Sequence, residues 1–406
     1  MKKYSLLIRF LALTVVAIAG GCSCASIASD DSLISMFDSS TTECNLPTNF
    51  LTFAGGGSPR NNEIALEKNA LYFQRTLQEL GQNVSEANIF FANGNSGEAT
   101  VRYIDEQGRQ QFKVPQIPHL RGASTLGNFQ YWMQQEGDRA NKQPLFFYFT
   151  GHGLPDEILL WGGYNLTLKN FSQQLDLLPV NTPVTTVMAQ CFAGSFADFI
   201  YQDGDRTKPL SPQTRCGFFA TIRTRPSVGC TPEVDESDYK DYSSSFFAGL
   251  SGRSRTGELV PSADYNQDGI VSYNEAHAFS KVDMQTMDMP ISTLETWLQE
   301  QMTTREQSQV LGQTIENTLI TARPEQAYVI QTISQRFNFD LQQSYRKNIR
   351  RVPQSLRDSD EITIAYLMRL RMELLNIAQE KKVRESDNET AIAILDRLLH
   401  CEQSSW

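Results

Sequence analysis

The sequence predicts an α/β protein: a mainly parallel sheet flanked by helices, followed by an all-helical C-terminal region. Three observations carry that expectation. Two apolar runs end in small-residue turns, Leu145-Phe-Phe-Tyr-Phe-Thr-Gly-His152-Gly153 and Val184-Thr-Thr-Val-Met-Ala-Gln-Cys191-Phe-Ala-Gly194-Ser195. Unbroken β-branched and aromatic runs of this kind read as strands buried on both faces. Asn49–Ala54, Glu63–Leu80 and Ala87–Ala92 read as strand, helix and strand, the spacing of a βαβ unit. From about Pro290 the chain turns polar-rich and amphipathic, and glycine disappears after Gly312.

The elements follow in order. Residues 1–21 have the layout of an export signal: Lys2 and Lys3, an apolar centre from Leu11 to Ala19, then Gly20 and Gly21 before Cys22. The apolar stretch is too short to remain as a spanning helix. Ala19-Gly-Gly-Cys22 resembles a bacterial lipobox, which implies a lipid on Cys22 and a Ser/Asp-rich tether over 22–47; the other reading is ordinary signal cleavage near Ala25–Ala28. The expected location is the bacterial envelope, lipid-anchored or periplasmic. Residues 48–290 form the α/β domain. After the loop Gly55–Pro59, Gly81 closes the first helix. Val101–Asp105 and Gln110–Val114 read as a hairpin, and Ser124 or Thr125 caps a helix to Gln135. A helix over Phe171–Leu178 separates the two diagnostic strands. A strand over Phe218–Arg223 and a helix over Tyr242–Leu250 follow. Pro324, Pro353 and the turn Asp358–Asp360 divide residues 291–406 into several helices.

The 406 residues suffice for two domains, and 40% hydrophobic with 20% charged residues describes a globular chain. A formal charge of −10 argues against a nucleic-acid partner. Of seven cysteines, Cys22 and Cys24 sit at the leader boundary. Export would permit disulfides among Cys44, Cys216, Cys230 and Cys401. Cys216 and Cys230 are the nearest pair, but spacing does not fix connectivity, and free buried thiols fit as well.

Two parallel strands would deliver His152 and Cys191 to one carboxyl-terminal edge, where open α/β sheets place their sites. The thiolate is the attacking form of cysteine, and an imidazole can take its proton and later protonate a leaving amine. Cys191 with His152 therefore reads as a nucleophile and its base.

These runs resemble those of the caspase-like (clan CD) cysteine peptidases, and most closely the legumain family, which also includes the anchor-adding transamidase subunit. The resemblance covers residues 48–290. It takes in Phe50–Ala54 with its glycine loop and Arg60, Ala87–Ala92, His152-Gly153, Cys191, and Ala220-Thr-Ile-Arg-Thr-Arg-Pro-Ser-Val-Gly-Cys230. It implies a caspase-like sheet and a cysteine endopeptidase acting on peptides or proteins. It also implies an oxyanion hole from the Gly153 and Cys191 amides, and a pocket wall near 220–230. Arg60, Gln190 and Arg223 fall near its substrate-binding positions, and the arginines would favour an acidic or amide side chain before the scissile bond. The chain departs from the family at Ala189, where an acidic residue or glutamine is common. A transamidase of the same fold would use the same residues. A third alternative is a catalytically silent calcium-binding scaffold. In legumain-type enzymes a helical C-terminal region covers the active-site edge. Residues 291–406, with Arg346–Arg351 and Arg369–Arg371 facing an acidic domain, are thus a candidate internal inhibitor or a fixed extension.

Asp264-Tyr-Asn266-Gln-Asp268-Gly269-Ile270-Val-Ser272-Tyr-Asn-Glu275 matches an EF-hand loop. Calcium would take oxygens from Asp264, Asn266, Asp268, the Ile270 carbonyl and Glu275, with Gly269 at the sharp turn. The other reading is a polar turn in which Ser272 and Glu275 form a capping box. His119, His277 and His400 are scattered, and no Cys/His spacing points to zinc.

Overall fold

The computed structural model describes residues 47–138 and 143–406. The expectations for the leader, the lipid on Cys22, the tether and Cys44 lie outside them. Among the described residues no helix is long and apolar enough to cross a membrane.

The chain forms strands β1 (Asn49–Ala54), β2 (Asn88–Phe91), β3 (Val101–Ile104), β4 (Gln110–Lys113), β5 (Leu120–Gly122) and β6 (Leu145–Thr150). Then come β7 (Gly153–Leu154), β8 (Glu157–Leu159), β9 (Asn165–Thr167), β10 (Val184–Met188), β11 (Arg215–Phe219) and β12 (Ile291–Ser292). Seven of them make one sheet in the order β12-β11-β10-β6-β1-β2-β5. All its neighbours run parallel except β12, which lies antiparallel on β11. Two small antiparallel sheets, β3–β4 and β7–β8–β9, stand apart from it.

Helices cover both faces, which is why the central strands read as unbroken apolar runs: all six residues of β6 and all five of β10 are buried. Leu51, Phe53, Phe147, Phe149 and Met188 point to one side. There they meet α2 (Leu126–Gly137), α3 (Leu168–Leu175), α6 (Thr293–Glu300) and α13 (Glu389–Glu402). Phe50, Phe146, Tyr148 and Phe218 point to the other, against α1 (Ile64–Glu79), α4 (Tyr242–Ser251) and α5 (Tyr273–Asp283).

Three boundaries moved for identifiable reasons. Thr167 caps α3 by accepting from the Asn170 amide, so that helix starts and ends earlier than its apolar pattern suggests. β11 begins at Arg215, whose buried guanidinium is held by Asp176, Gln213 and the Phe199 carbonyl, and it ends at Phe219. The third concerns residue 290. Residues 46–406 form a single compact unit, and the helical region opens with the sheet's own edge strand, β12.

The rest of that region comprises α7 (Thr304–Val310), α8 (Ile315–Leu319), α9 (Pro324–Arg336), α10 (Tyr345–Ile349), α11 (Gln354–Ser359) and α12 (Glu361–Arg384). It is fastened to the sheet by specific contacts. A disulfide joins Cys216 on β11 to Cys401 on α13, so the nearest pair in sequence, Cys216 and Cys230, is not the bonded one. The Trp406 ring stands edge-on to Phe146 at 4.9 Å and to Phe50 at 5.0 Å. Arg369 does not reach an acidic surface. It is buried and donates to the carbonyls of Lys281, Met284, Thr286 and Asp288. Arg371 donates to Gln307 and Arg346 to Ser308, both within the helical region itself. The charge pairing expected of a detachable inhibitor is absent at these three arginines.

Candidate active site

β6 and β10 are adjacent, with Phe149 opposite Met188, so their turns leave the sheet side by side. Gly153 packs directly on the second turn: a Cβ there would lie 2.4 Å from Gln190 Cγ and 2.7 Å from the Cys191 carbonyl oxygen. Only glycine allows this approach. Past Cys191 the chain reverses through Phe192, which is left-handed at φ 57°, and its amide donates to the Arg225 carbonyl. Ser195 Oγ accepts from the Asp156 amide and ties the two turns together.

The segment after β11 forms a wall beside the thiol. The Ser227 amide donates to Cys191 Sγ at 3.3 Å, and Cys191 Sγ lies 3.5 Å from the Ser227 carbonyl. The next amide, Val228, donates to Asp288 Oδ1, while Asp288 Oδ2 is buried without a partner. Burial pushes the Asp288 carboxyl up to about 7. The wall ends at Cys230, exposed at its surface, whose Sγ lies 3.8 Å from the Gly151 carbonyl.

Glu63 is the residue that sequence reasoning missed. It occupies the N-cap position of α1, but its side chain makes no capping bond. Instead His152 Nε2 donates to Glu63 Oε2 at 2.9 Å, and Arg102 donates to Glu63 Oε1 at 2.5 Å. The glycine loop after β1 delivers it: Gly56 donates to Asn62 Oδ1, and Asn62 Nδ2 to the Thr100 carbonyl. The β3–β4 hairpin then supplies Arg102. The place of Glu63 in the loop after the first strand, at the edge that holds His152, was the one sequence hint, and a helix start accounts for it as well.

Burial works against charge on His152, but hydrogen bonds to Cys230 and Glu63, and their charge, outweigh it and hold the imidazole up at about 10. Burial likewise opposes charge on Glu63, and the bonds from His152 and Arg102 override it and lower the carboxyl. The Cys230 thiol is pushed up, first by burial, and the neighbouring charge of Cys191 acts in the same direction. A charged imidazole beside a sulfur favours thiolate on that sulfur.

Three substrate-binding expectations fare differently. Gln190 is buried under Gly153, with its amide nitrogen 3.8 Å from Met188 Sδ. Arg223 is committed to Asp198 and Glu300, at 3.2 Å each, in a cleft of about 750 Å³ that contains neither Cys191 nor His152. Arg60 is exposed on the short 3-10 turn Pro59–Asn61. A second cleft, about 430 Å³, begins at the wall residues Val228 and Gly229 and continues past Thr231 to Asp241 and Met287.

In loop 264–275 the acidic oxygens converge on backbone amides. Asp264 accepts from Asp268 and Gly269, and Asp268 from Ile270. Glu275 accepts from Tyr265, Asn266 and Ser272. The Ser272–Glu275 capping box is formed at the start of α5. Gly269 has φ 89°, as the tight turn requires.

Neither a protein-family model nor a curated protein matches the chain.

Proposed function

We infer that the protein is a cysteine endopeptidase of caspase-like architecture, resembling the legumain family in its motifs. One observation carries this reading: Cys191 and His152-Gly153 follow adjacent parallel strands to the same carboxyl-terminal edge, with Gly153 in contact with the Cys191 turn. The Cys191 thiolate attacks the scissile carbonyl. The Gly153 and Cys191 amides hold the oxyanion, a contribution of about 10²–10³ in rate for such donors. His152, oriented by Glu63, protonates the leaving amine, and water then hydrolyses the thioester. The Cys216–Cys401 disulfide suits export to an oxidising compartment, which supports an envelope location. The test is a peptidyl probe with a thiol-reactive end, followed by peptide mapping. Cys191 should label at least tenfold faster than Cys230. Equal labelling of the two, or none at Cys191, would remove the assignment.

Loop 264–275 is the calcium site of this reading, with a structural role. A ligand that binds only the folded state at ten to a hundred times its Kd stabilises it by about 1.4–2.7 kcal/mol. Millimolar calcium should therefore raise the Tm of the full chain, and Asp264→Ala should abolish that rise while sparing the capping box. A melting curve indifferent to calcium would leave the loop as a cap alone.

A further inference from the structure

His152 is surrounded by more than a base requires. Glu63, His152 and Cys230 each offer one ligand atom, and these atoms all lie within 4.8 Å of one another. They come from three separate segments: the N-cap of α1, the turn after β6 and the end of the wall after β11. No short Cys/His spacing could reveal such a set. One carboxylate oxygen, one imidazole nitrogen and one thiolate make a donor set that fits zinc and its neighbours and does not fit calcium or magnesium.

The surroundings suit an ion as well. A tetrahedral zinc site holds such donors about 3.2–3.7 Å apart, given metal–ligand bonds of about 2.0–2.3 Å, so a small opening of the His152–Glu63 contact and a small inward shift of the thiol complete it. Arg102 fixes Glu63 Oε1 and leaves Oε2 facing the imidazole, the orienting contact that metal carboxylates usually have. Two anionic ligands and one neutral one would balance a divalent charge where the Glu63 side chain is only 6% exposed. Cys230 lies at the surface with its thiol enclosed beside His152, so the cluster sits just beneath the surface. Three protein ligands leave a fourth position beside the Cys191 turn.

We propose that Glu63, His152 and Cys230 bind a thiophilic divalent cation of the zinc class, and that the bound ion holds the peptidase inactive by occupying its imidazole. The inhibitory half rests on the peptidase reading; the binding half does not. In this arrangement the imidazole nitrogen that donates to Glu63 becomes a metal ligand, so the ring is neutral and turned to the ion. Removal of the metal restores the His152–Glu63 pair and with it the reaction.

The experiment uses the full chain, freed of metal. In the Cys191→Ala protein, cobalt(II) should bind at one equivalent with a near-ultraviolet thiolate-to-cobalt band. Cys230→Ser and, separately, Cys230→Ala in that background should abolish the band and weaken zinc affinity at least tenfold by calorimetry. In the unmodified chain, zinc should inhibit peptide hydrolysis, with the concentration for half inhibition raised at least tenfold by Cys230→Ser relative to that variant's own metal-free rate. If Cys191→Ala binds neither cobalt nor zinc, or if both Cys230 variants keep the band, the site does not exist. Activation by zinc would overturn the inhibitory role. If the metal binds as described but the metal-free chain cleaves no peptide, the site stands and the peptidase reading falls.

Discussion

In two histidine–glutamate pairs of this molecule the imidazole is shifted in opposite directions. At the sheet edge His152 pairs with Glu63 at 2.9 Å and is held up at about 10. Behind the sheet His277 pairs with Glu295 at 3.2 Å and accepts from the Tyr242 hydroxyl, yet is pushed down to about 4. Burial acts against the charged imidazole in both places. Beyond burial, the neighbours decide. Lys281 sits on Glu295 and Glu373 and repels a proton from His277. At the edge the competing cation, Arg102, takes the other oxygen of Glu63, and a second thiol adds to the pull on the proton. A histidine beside a carboxylate is thus not in itself a catalytic signature. Solvent access and the neighbouring charges separate the pair at the sheet edge from the one behind the sheet.

The largest effect expected from breaking this contrast is on turnover. His152→Ala should lower kcat/KM for a peptide substrate by about 10³-fold or more, in the upper range of general acid–base contributions. His277→Gln should leave kcat unchanged and instead destabilise the fold by about 1–3 kcal/mol, the usual cost of an orphaned buried partner. Equal losses of activity from both would erase the distinction.

The next comparison isolates a buried carboxyl without a cation. Glu295, with Lys281 and His277, is pushed down despite burial. Glu402 is equally enclosed, accepts from the Thr293 hydroxyl and the Leu294 amide with no cation beside it among the described residues, and is raised by burial to about 7. A carboxyl raised in the folded state contributes stability that is complete below its unfolded value, near 4.5, and is lost as pH rises through about 7. The loss is on the order of 3 kcal/mol. Glu402→Gln should therefore gain on the parent between pH 5 and pH 8 in urea midpoints. A constant difference across that range would show that Glu402 titrates normally.

The smallest effect expected is at Glu63, which positions His152. Glu63→Gln should reduce kcat about 10²-fold or less with KM nearly constant. Glu63→Asp, which keeps the charge, should recover part of the loss. A fall confined to Tm, with kcat intact, would assign Glu63 to structure alone.

Much of the frame was legible because buried parallel strands announce themselves. β1, β6 and β10 carry no polar alternation, and the β3–β4 hairpin alternates around Gly108 as hairpins do. Cys191 and His152 were legible for the same reason, since each ends one of those runs. Glu63 was not, because an acidic residue opening a helix has a sufficient local explanation in the helix dipole. Its partners are reached only when the loops at 63, 102 and 152 converge. The disulfide was hidden by a sequence separation of 185 residues. β12 was hidden by its length, two residues being too few to carry a pattern. Arg369 reads as a charge meant for an acidic surface, but the carbonyls it serves belong to the segment 281–288.

The placement of Trp406 also constrains how the molecule can be assembled. Its ring fills a space bounded by Phe50, Phe73 and Phe146, side chains made early in translation. α1, α4 and α5 cover most of that face, but the gap between these rings closes only when residues near 406 arrive. Contacts of such long range slow folding, and large chains held partly open expose apolar surface to other molecules. Once the Cys216–Cys401 bond has formed, it ties together segments that an unfolded chain would rarely bring into proximity, a restriction of about 5 kcal/mol for a loop of this size. The newly made chain is thus at its most vulnerable before α13 docks.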